Sequence, residues 1–114
     1  MKNIFLFLAL FILLLTNLCF AKDDLPGKQI FYTSKGKFGS CNYCHANGTS
    51  AGRFDPATGE ISEDEGRKIP SLKGIGKKKD LEQIQRSVES MRKMFGFKLT
   101  NEQVKQLTDY VSTL

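Results

Sequence analysis

Two cysteines and a histidine stand close enough together in the sequence to share one chemical task. Cys41, Cys44 and His45 occur in the order Cys-x-x-Cys-His. Two intervening residues place both sulfur atoms on one helical turn, from which the thiols can add to the two vinyl groups of a single haem. The residue that follows then directs an imidazole over the ring, where a nitrogen can bind the iron. The spacing therefore predicts one covalently attached haem c per chain, with His45 as an axial ligand.

Other uses of a Cys-x-x-Cys pair need surroundings that the sequence does not supply. A thioredoxin-like thiol site needs a βαβ context, and the residues before Cys41 do not indicate a strand. A zinc site needs two further ligands, but His45 is the only histidine and Cys19 lies in a segment that we expect to be removed. Redox-active thiols and a local disulfide stay open as alternatives to haem.

The second axial ligand is sought among the methionines, because the chain has no second histidine. A thioether is a ligand that raises the reduction potential of haem iron. Met91 falls on the apolar stripe of a predicted helix, so packing in the core would explain it. Met94 lies roughly 100° from the centre of that stripe, where packing explains it less well. We therefore expect Met94 to bind the iron, with Met91 as the alternative.

The first 21 residues have the composition of a secretory signal peptide. Lys2 is followed by an apolar run from Ile4 to Leu15, and small residues precede a cut after Ala21. The run is shorter than the roughly 20 residues that a membrane-spanning helix needs, although an uncleaved anchor is the alternative. We expect cleavage, a mature domain of residues 22–114 without a membrane span, and a periplasmic location, where cysteines meet oxidising conditions.

The predicted mature domain is small and basic. Removal of residues 1–21 takes away one lysine and leaves 93 residues, with 16 basic against 12 acidic side chains, a net charge of +4. Lysines cluster at two places, which are Lys28, Lys35 and Lys37 and then Lys73, Lys77, Lys78 and Lys79. Such clusters could orient an acidic protein partner, although a basic surface kept for solubility explains them equally well. An exported chain without a recognisable nucleic-acid module is not expected to bind nucleic acid.

Helical signals occur at both ends of the predicted domain. Pro26 suits the first turn of a short helix that we expect to end at Gly36 and Gly39. After Asp80 a longer helix is predicted to run to Gly96, with an apolar stripe of Leu81, Ile84, Val88, Met91 and Phe95. Thr100 and Gln103 form a capping box that starts a last helix, whose stripe is Val104, Leu107, Val111 and Leu114.

The middle of the chain gives no compelling helix or strand. Residues 47–68 are rich in turn-forming residues and contain the acidic run Glu60–Glu65. The spacing of its carboxylates matches no calcium loop. We therefore expect a solvated loop there.

Taken together, these features resemble a class I, mitochondrial-type, monohaem c-type cytochrome of a bacterial periplasm. Besides the haem motif, Gly27 and Phe31 resemble the family's N-terminal helix motif, and residues 99–111 resemble its C-terminal helix. Pro70 resembles the proline whose carbonyl accepts a hydrogen bond from the proximal histidine. The loop at residues 47–68 is longer than in the smallest members of the family, and neither candidate methionine is followed by the proline that is common there.

The resemblance implies an all-α cytochrome c fold, with three to five helices around one haem. If His45 and a methionine fill both axial positions, no position is open for a substrate. We therefore expect a monomeric one-electron carrier in a periplasmic or respiratory chain, which is not an enzyme and which serves redox partner proteins. The alternatives are a haem-based sensor with a labile sixth ligand and a haem subunit docked on a larger oxidoreductase.

Overall fold

The computed structural model describes residues 25–114, so the predicted signal peptide at residues 1–21 lies outside the described residues. Five α-helices occur in this part of the chain, which agrees with the predicted all-α class. They are α1 (Pro26–Thr33), α2 (Cys41–Cys44), α3 (Ile75–Lys78), α4 (Leu81–Phe95) and α5 (Asn101–Val111). Among the described residues, no helix is both long enough and apolar enough to cross a membrane.

The ends of the two long helices are fixed by their own sequences. At the start of α4, the Asp80 side chain accepts a hydrogen bond from the backbone N–H of Gln83, and Gln83 accepts one from Asp80. Thr100 and Gln103 form the same reciprocal pair before α5. Gly96 ends α4 in the left-handed conformation, with φ 67°. The predicted start and end of α4 and the predicted start of α5 are therefore confirmed, whereas α5 ends at Val111, before Leu114 of the predicted stripe.

Helix α1 is shorter than predicted. It begins at Pro26 but ends at Thr33, because Ser34 already has extended backbone angles. Gly36 and Gly39 do not end a helix; instead they form an antiparallel bridge, with the N–H of Gly36 donating to the carbonyl of Gly39 over 2.9 Å. This tight bend leads the chain directly into α2.

Helices α1 and α5 cross in close contact. A β-carbon placed on Gly27 would lie 2.0 Å from the backbone oxygen of Gln106, so only glycine allows the backbones to approach this closely. Phe31 packs edge-on against Tyr110, with ring centroids 5.5 Å apart. Together with α4 they form what we call the helix core, made of Ile30, Phe31, Ile84, Val88, Val104, Leu107, Tyr110 and Val111.

Only part of the stripe predicted for α4 is buried. Ile84 and Val88 belong to the helix core. Leu81, at the start of the stripe, is 53% exposed. Leu81 is the first residue of α4, and the buried part of the helix begins one turn later, at Ile84.

The segment predicted as an irregular loop contains a small sheet, which is a correction to the sequence prediction. Strands β1 (Arg53–Phe54), β2 (Ile61–Ser62) and β3 (Arg67–Lys68) pair in the order β2-β1-β3, and both pairings are antiparallel. Each strand has two residues, which is too short for an alternating pattern to mark it in the sequence. Phe54 on the central strand is buried and anchors the sheet to the rest of the protein.

Candidate haem site

The motif residues lie together on one short helix. Helix α2 is a single turn, Cys41–Cys44, and the N–H of His45 donates to the carbonyl of Cys41 over 2.9 Å. This places the imidazole immediately after the two thiols, on the same turn. Both cysteines are half-buried and are not joined in a disulfide. Two sulfurs and one imidazole thus reach the same part of the protein from five residues of sequence.

The imidazole of His45 is held by a backbone acceptor. Its Nδ1 lies 3.0 Å from the carbonyl oxygen of Pro70. The chain on both sides of Pro70 is fixed to the segment after the motif, since the N–H of Ile69 donates to Gly52 over 3.0 Å and that of Leu72 donates to Gly48 over 2.8 Å. With Nδ1–H donated to Pro70, Nε2 is the nitrogen that can bind a metal.

Burial tunes the protonation of these groups. It lowers the pKa of His45, an effect that the hydrogen bond to Pro70 partly opposes. The imidazole is therefore neutral near pH 7, as a metal ligand must be. Burial raises the pKa of the Cys41 thiol to about 11, against the effect of a backbone hydrogen bond and with a smaller contribution from Cys44. Burial also raises the pKa of Cys44.

The raised thiol pKa values weigh against a redox-active dithiol. Catalytic thiols in Cys-x-x-Cys sites have pKa values below that of free cysteine, because the thiolate is the reactive form. The Cys41 pKa moves in the opposite direction. A zinc site also lacks ligands, since no group of three or more His, Cys, Asp and Glu side chains within residues 25–114 could hold a metal ion.

Three cavities open beside His45, with volumes of about 60, 230 and 420 Å³. His45 and Met91 line all three. Cys41 lines the first two, and Cys44 lines the first and the third. The motif and α4 therefore face each other across one region, whose other linings are mainly aliphatic and aromatic side chains.

The two candidate methionines differ in their position relative to this region. Met91 lines every cavity that contains His45, and it is 39% exposed. It does not belong to the helix core, so the core-packing interpretation does not describe its position. Met94 is 60% exposed and lines the third cavity, but neither of the other two. The sequence favours Met94 as the ligand. In the structure, however, Met91 lines all three cavities beside His45 and Met94 lines only one of them.

Comparison with known proteins decides the family. The sequence model of the family described as Cytochrome c matches residues 25–114. The chain belongs to the cytochrome c family. Searches among curated proteins and solved structures gave no significant match. The helical architecture is consistent with the cytochrome c fold, and the family carries covalently bound haem c with iron.

The residues around the cavities fit this group. Haem c needs two thiols for its vinyl groups, an imidazole for its iron and apolar surface for its ring. Cys41, Cys44 and His45 supply the first three from one turn, and the cavity linings supply the last. The chain is therefore a haem c electron-transfer protein of the cytochrome c family, with redox proteins as its partners.

A cluster of phenylalanines at the cytochrome site was not predicted from the sequence. The rings of Phe38, Phe54 and Phe95 pack edge-on, with centroids 5.1 to 6.2 Å apart. All three line both the first and the third cavity. The available signal was compositional, since the chain has nine phenylalanines and no tryptophan. That excess does not reveal which of them meet in space.

Proposed function

We propose that this cytochrome is a one-electron carrier whose haem iron is bound by His45 on one side and by a methionine on the other. The haem would be held through thioether bonds to Cys41 and Cys44. The observation that carries the proposal is that His45 and Met91 line the same three cavities. Covalently bound haem supplies an iron that exchanges one electron between iron(II) and iron(III).

For the second ligand, the geometry supports Met91 over the Met94 expected from the sequence. An axial ligand must face the proximal histidine across the ring. Met91 shares all three cavities with His45, whereas Met94 shares one. Met94 stays the alternative, because it lies one helical turn farther along α4 and lines the third cavity beside Cys44.

The surrounding residues act by fixing groups and excluding water. The Pro70 carbonyl holds the imidazole in one tautomer and orientation, which increases the basicity of its other nitrogen. Phe31, Ile84 and Leu107 make the floor of the second cavity apolar. A haem site that excludes water and holds its ligands in place rearranges little between the two oxidation states of the iron. With both axial positions occupied, the site would have no place for a substrate, and we therefore propose that the protein is not an enzyme.

Partner proteins would approach through a basic surface. Lys37 and Lys79 are exposed, and they line the third and second cavities respectively. Lys73, Lys77 and Lys78 are exposed near Lys79 on and around α3. These charges would orient a partner with an acidic docking surface. A monomer is proposed, since a transient carrier must release each partner.

We also propose that the protein works in the periplasm. Support comes from the signal-like composition of residues 1–21. The proposed carrier would then serve a periplasmic or respiratory chain.

A redox titration of the purified holoprotein, followed by exposure of the reduced form to carbon monoxide, tests the proposed function. We expect one reversible one-electron transition and no rapid binding of carbon monoxide, because the sixth position is closed. Rapid carbon monoxide binding would instead indicate a labile or absent sixth ligand. That result would replace the carrier by a haem-based sensor or ligand binder.

A further inference from the structure

The small sheet is fastened to the haem motif at several points. The hydroxyl of Tyr43, between the two cysteines, donates to the carbonyl of Gly59 over 3.0 Å. The N–H of Ala51 donates to the carbonyl of Cys44 over 2.9 Å. A β-carbon on Gly59 would lie 2.5 Å from the Phe38 ring, so this turn packs directly on that side chain. The sheet is therefore held as one wall of the haem site.

Phe54 is the side chain through which the sheet reaches the site. It is only 6% exposed, although it lies on a strand of two residues in a segment dominated by exposed polar side chains. Its ring lies 5.1 Å from that of Phe38 and 5.8 Å from that of Phe95. With these two rings it lines the first and third cavities, which also contain Cys44 and His45.

The third cavity also has charged residues in its lining. They are Lys37, Arg67 and Lys68, all of which are exposed. Phe54 lines the same cavity as this charged rim and the motif residues Cys44 and His45. Removing its ring would let water come closer to the site.

We propose that Phe54 excludes water from the Cys44 side of the haem site and thereby raises the reduction potential. This inference rests on the proposed function, because it presumes a haem between the motif and α4. Iron(III) haem carries one more positive charge than iron(II) haem, so water stabilises the oxidised form more strongly. A residue that keeps water out therefore favours the reduced form. Phe54 acts here by limiting the access of solvent to the haem, and not by holding another residue in place.

The test is the reduction potential of the Phe54→Ala holoprotein, measured beside Phe54→Leu and the unaltered protein. For Phe54→Ala we expect the ratio of iron(III) to iron(II) at a fixed ambient potential to rise about threefold or more, which corresponds to a potential lower by about 28 mV, since tenfold is about 59 mV for one electron. Phe54→Leu, which keeps part of the apolar wall, is expected to shift the potential in the same direction by less.

Val104→Ala is the matched control. Val104 is fully buried in the helix core and lines none of the three cavities beside His45. It should lose stability and keep the potential of the unaltered protein. An equal shift in Val104→Ala would overturn the inference, because general loosening would then explain the result.

Other results for the Phe54 variants and for the unaltered protein also decide whether the inference holds. An unchanged potential in Phe54→Ala would overturn the inference, and if that variant does not fold, the potential of Phe54→Leu decides in the same way. Loss of the methionine–iron absorption band in a folded Phe54 variant would also overturn it, since Phe54 would then act by holding α4. A failure of the proposed function is distinguishable, because the reduced unaltered protein would then bind carbon monoxide rapidly or would lack a reversible one-electron transition.

Discussion

The helix core and the cavity side of this cytochrome share one helix and use it differently. Ile84 and Val88 on α4 belong to the helix core together with side chains of α1 and α5, and they also line the second cavity beside His45. Met91 and Phe95, on the continuation of the same apolar stripe, line cavities beside His45. Ile84 and Val88 are thus shared between the helix core and the haem site, whereas Met91 and Phe95 lie on the cavity side and outside the core. Apolar periodicity identifies a face that needs covering, and it does not say what covers it.

Electrostatics separates the two regions as well. The helix core consists of aliphatic side chains and the rings of Phe31 and Tyr110. Beside it, the buried hydroxyl of Thr108 donates to the carbonyl of Val104 within α5. The cavity side contains Cys41, Cys44 and His45, whose pKa values are all shifted by burial. The reactive groups of the motif thus lie on the side that receives the cofactor.

Removal of both thiols should have the largest effect on the cavity side, because the haem would no longer be attached. The double variant Cys41→Ala and Cys44→Ala is expected to carry no covalent haem, because no other sulfur lies in the motif. Haem staining after denaturing electrophoresis is the measurement, since only a covalently bound group stays with the chain.

Tyr43→Phe is the control for that double variant, because Tyr43 lies between the two cysteines and the change leaves both thiols intact. It should stain like the unaltered protein. Staining of the double cysteine variant would contradict the assignment of Cys41 and Cys44. An unaltered protein that does not stain would support the redox-thiol alternative.

A smaller effect is expected from Val104→Ala, which alters the helix core alone. Val104 has no exposed surface, and loss of two buried methyl groups together with the resulting cavity should lower the free energy of unfolding by about 2 kcal/mol. Urea unfolding of the holoprotein followed by circular dichroism measures this. The haem absorption spectrum should stay unchanged, and a changed spectrum would mean that the two regions are not separable.

The features that could be predicted from the sequence are those whose signal lies within a few neighbouring residues. The start of α5 was predictable, because Thr100 and Gln103 cap it through hydrogen bonds within four residues. The single turn that carries Cys41, Cys44 and His45 is equally local. The three-stranded sheet was not predictable, because its central strand pairs with residues 7 to 15 positions away along strands of only two residues.

The position of the methionines shows the same limit at the site. The spacing of apolar residues places Met91 on the apolar face of α4, which by itself indicates packing in the core. In the structure Ile84 and Val88 belong to the helix core and line the second cavity, whereas Met91 lies outside the core and lines all three cavities. That difference depends on where α2 and the sheet lie, which is information from distant parts of the chain.

The absorption spectrum of the oxidised Met91→Ala holoprotein is the most direct test of methionine ligation. Met94→Ala is its matched control. Both variants remove a partly exposed methionine from α4, so they differ mainly in their relation to His45. We expect Met91→Ala to lose the methionine–iron band and the low-spin state, and Met94→Ala to keep both. The reverse result would assign the ligand to Met94. An unchanged spectrum in both variants, and in their combination, would contradict methionine ligation and with it the closed site.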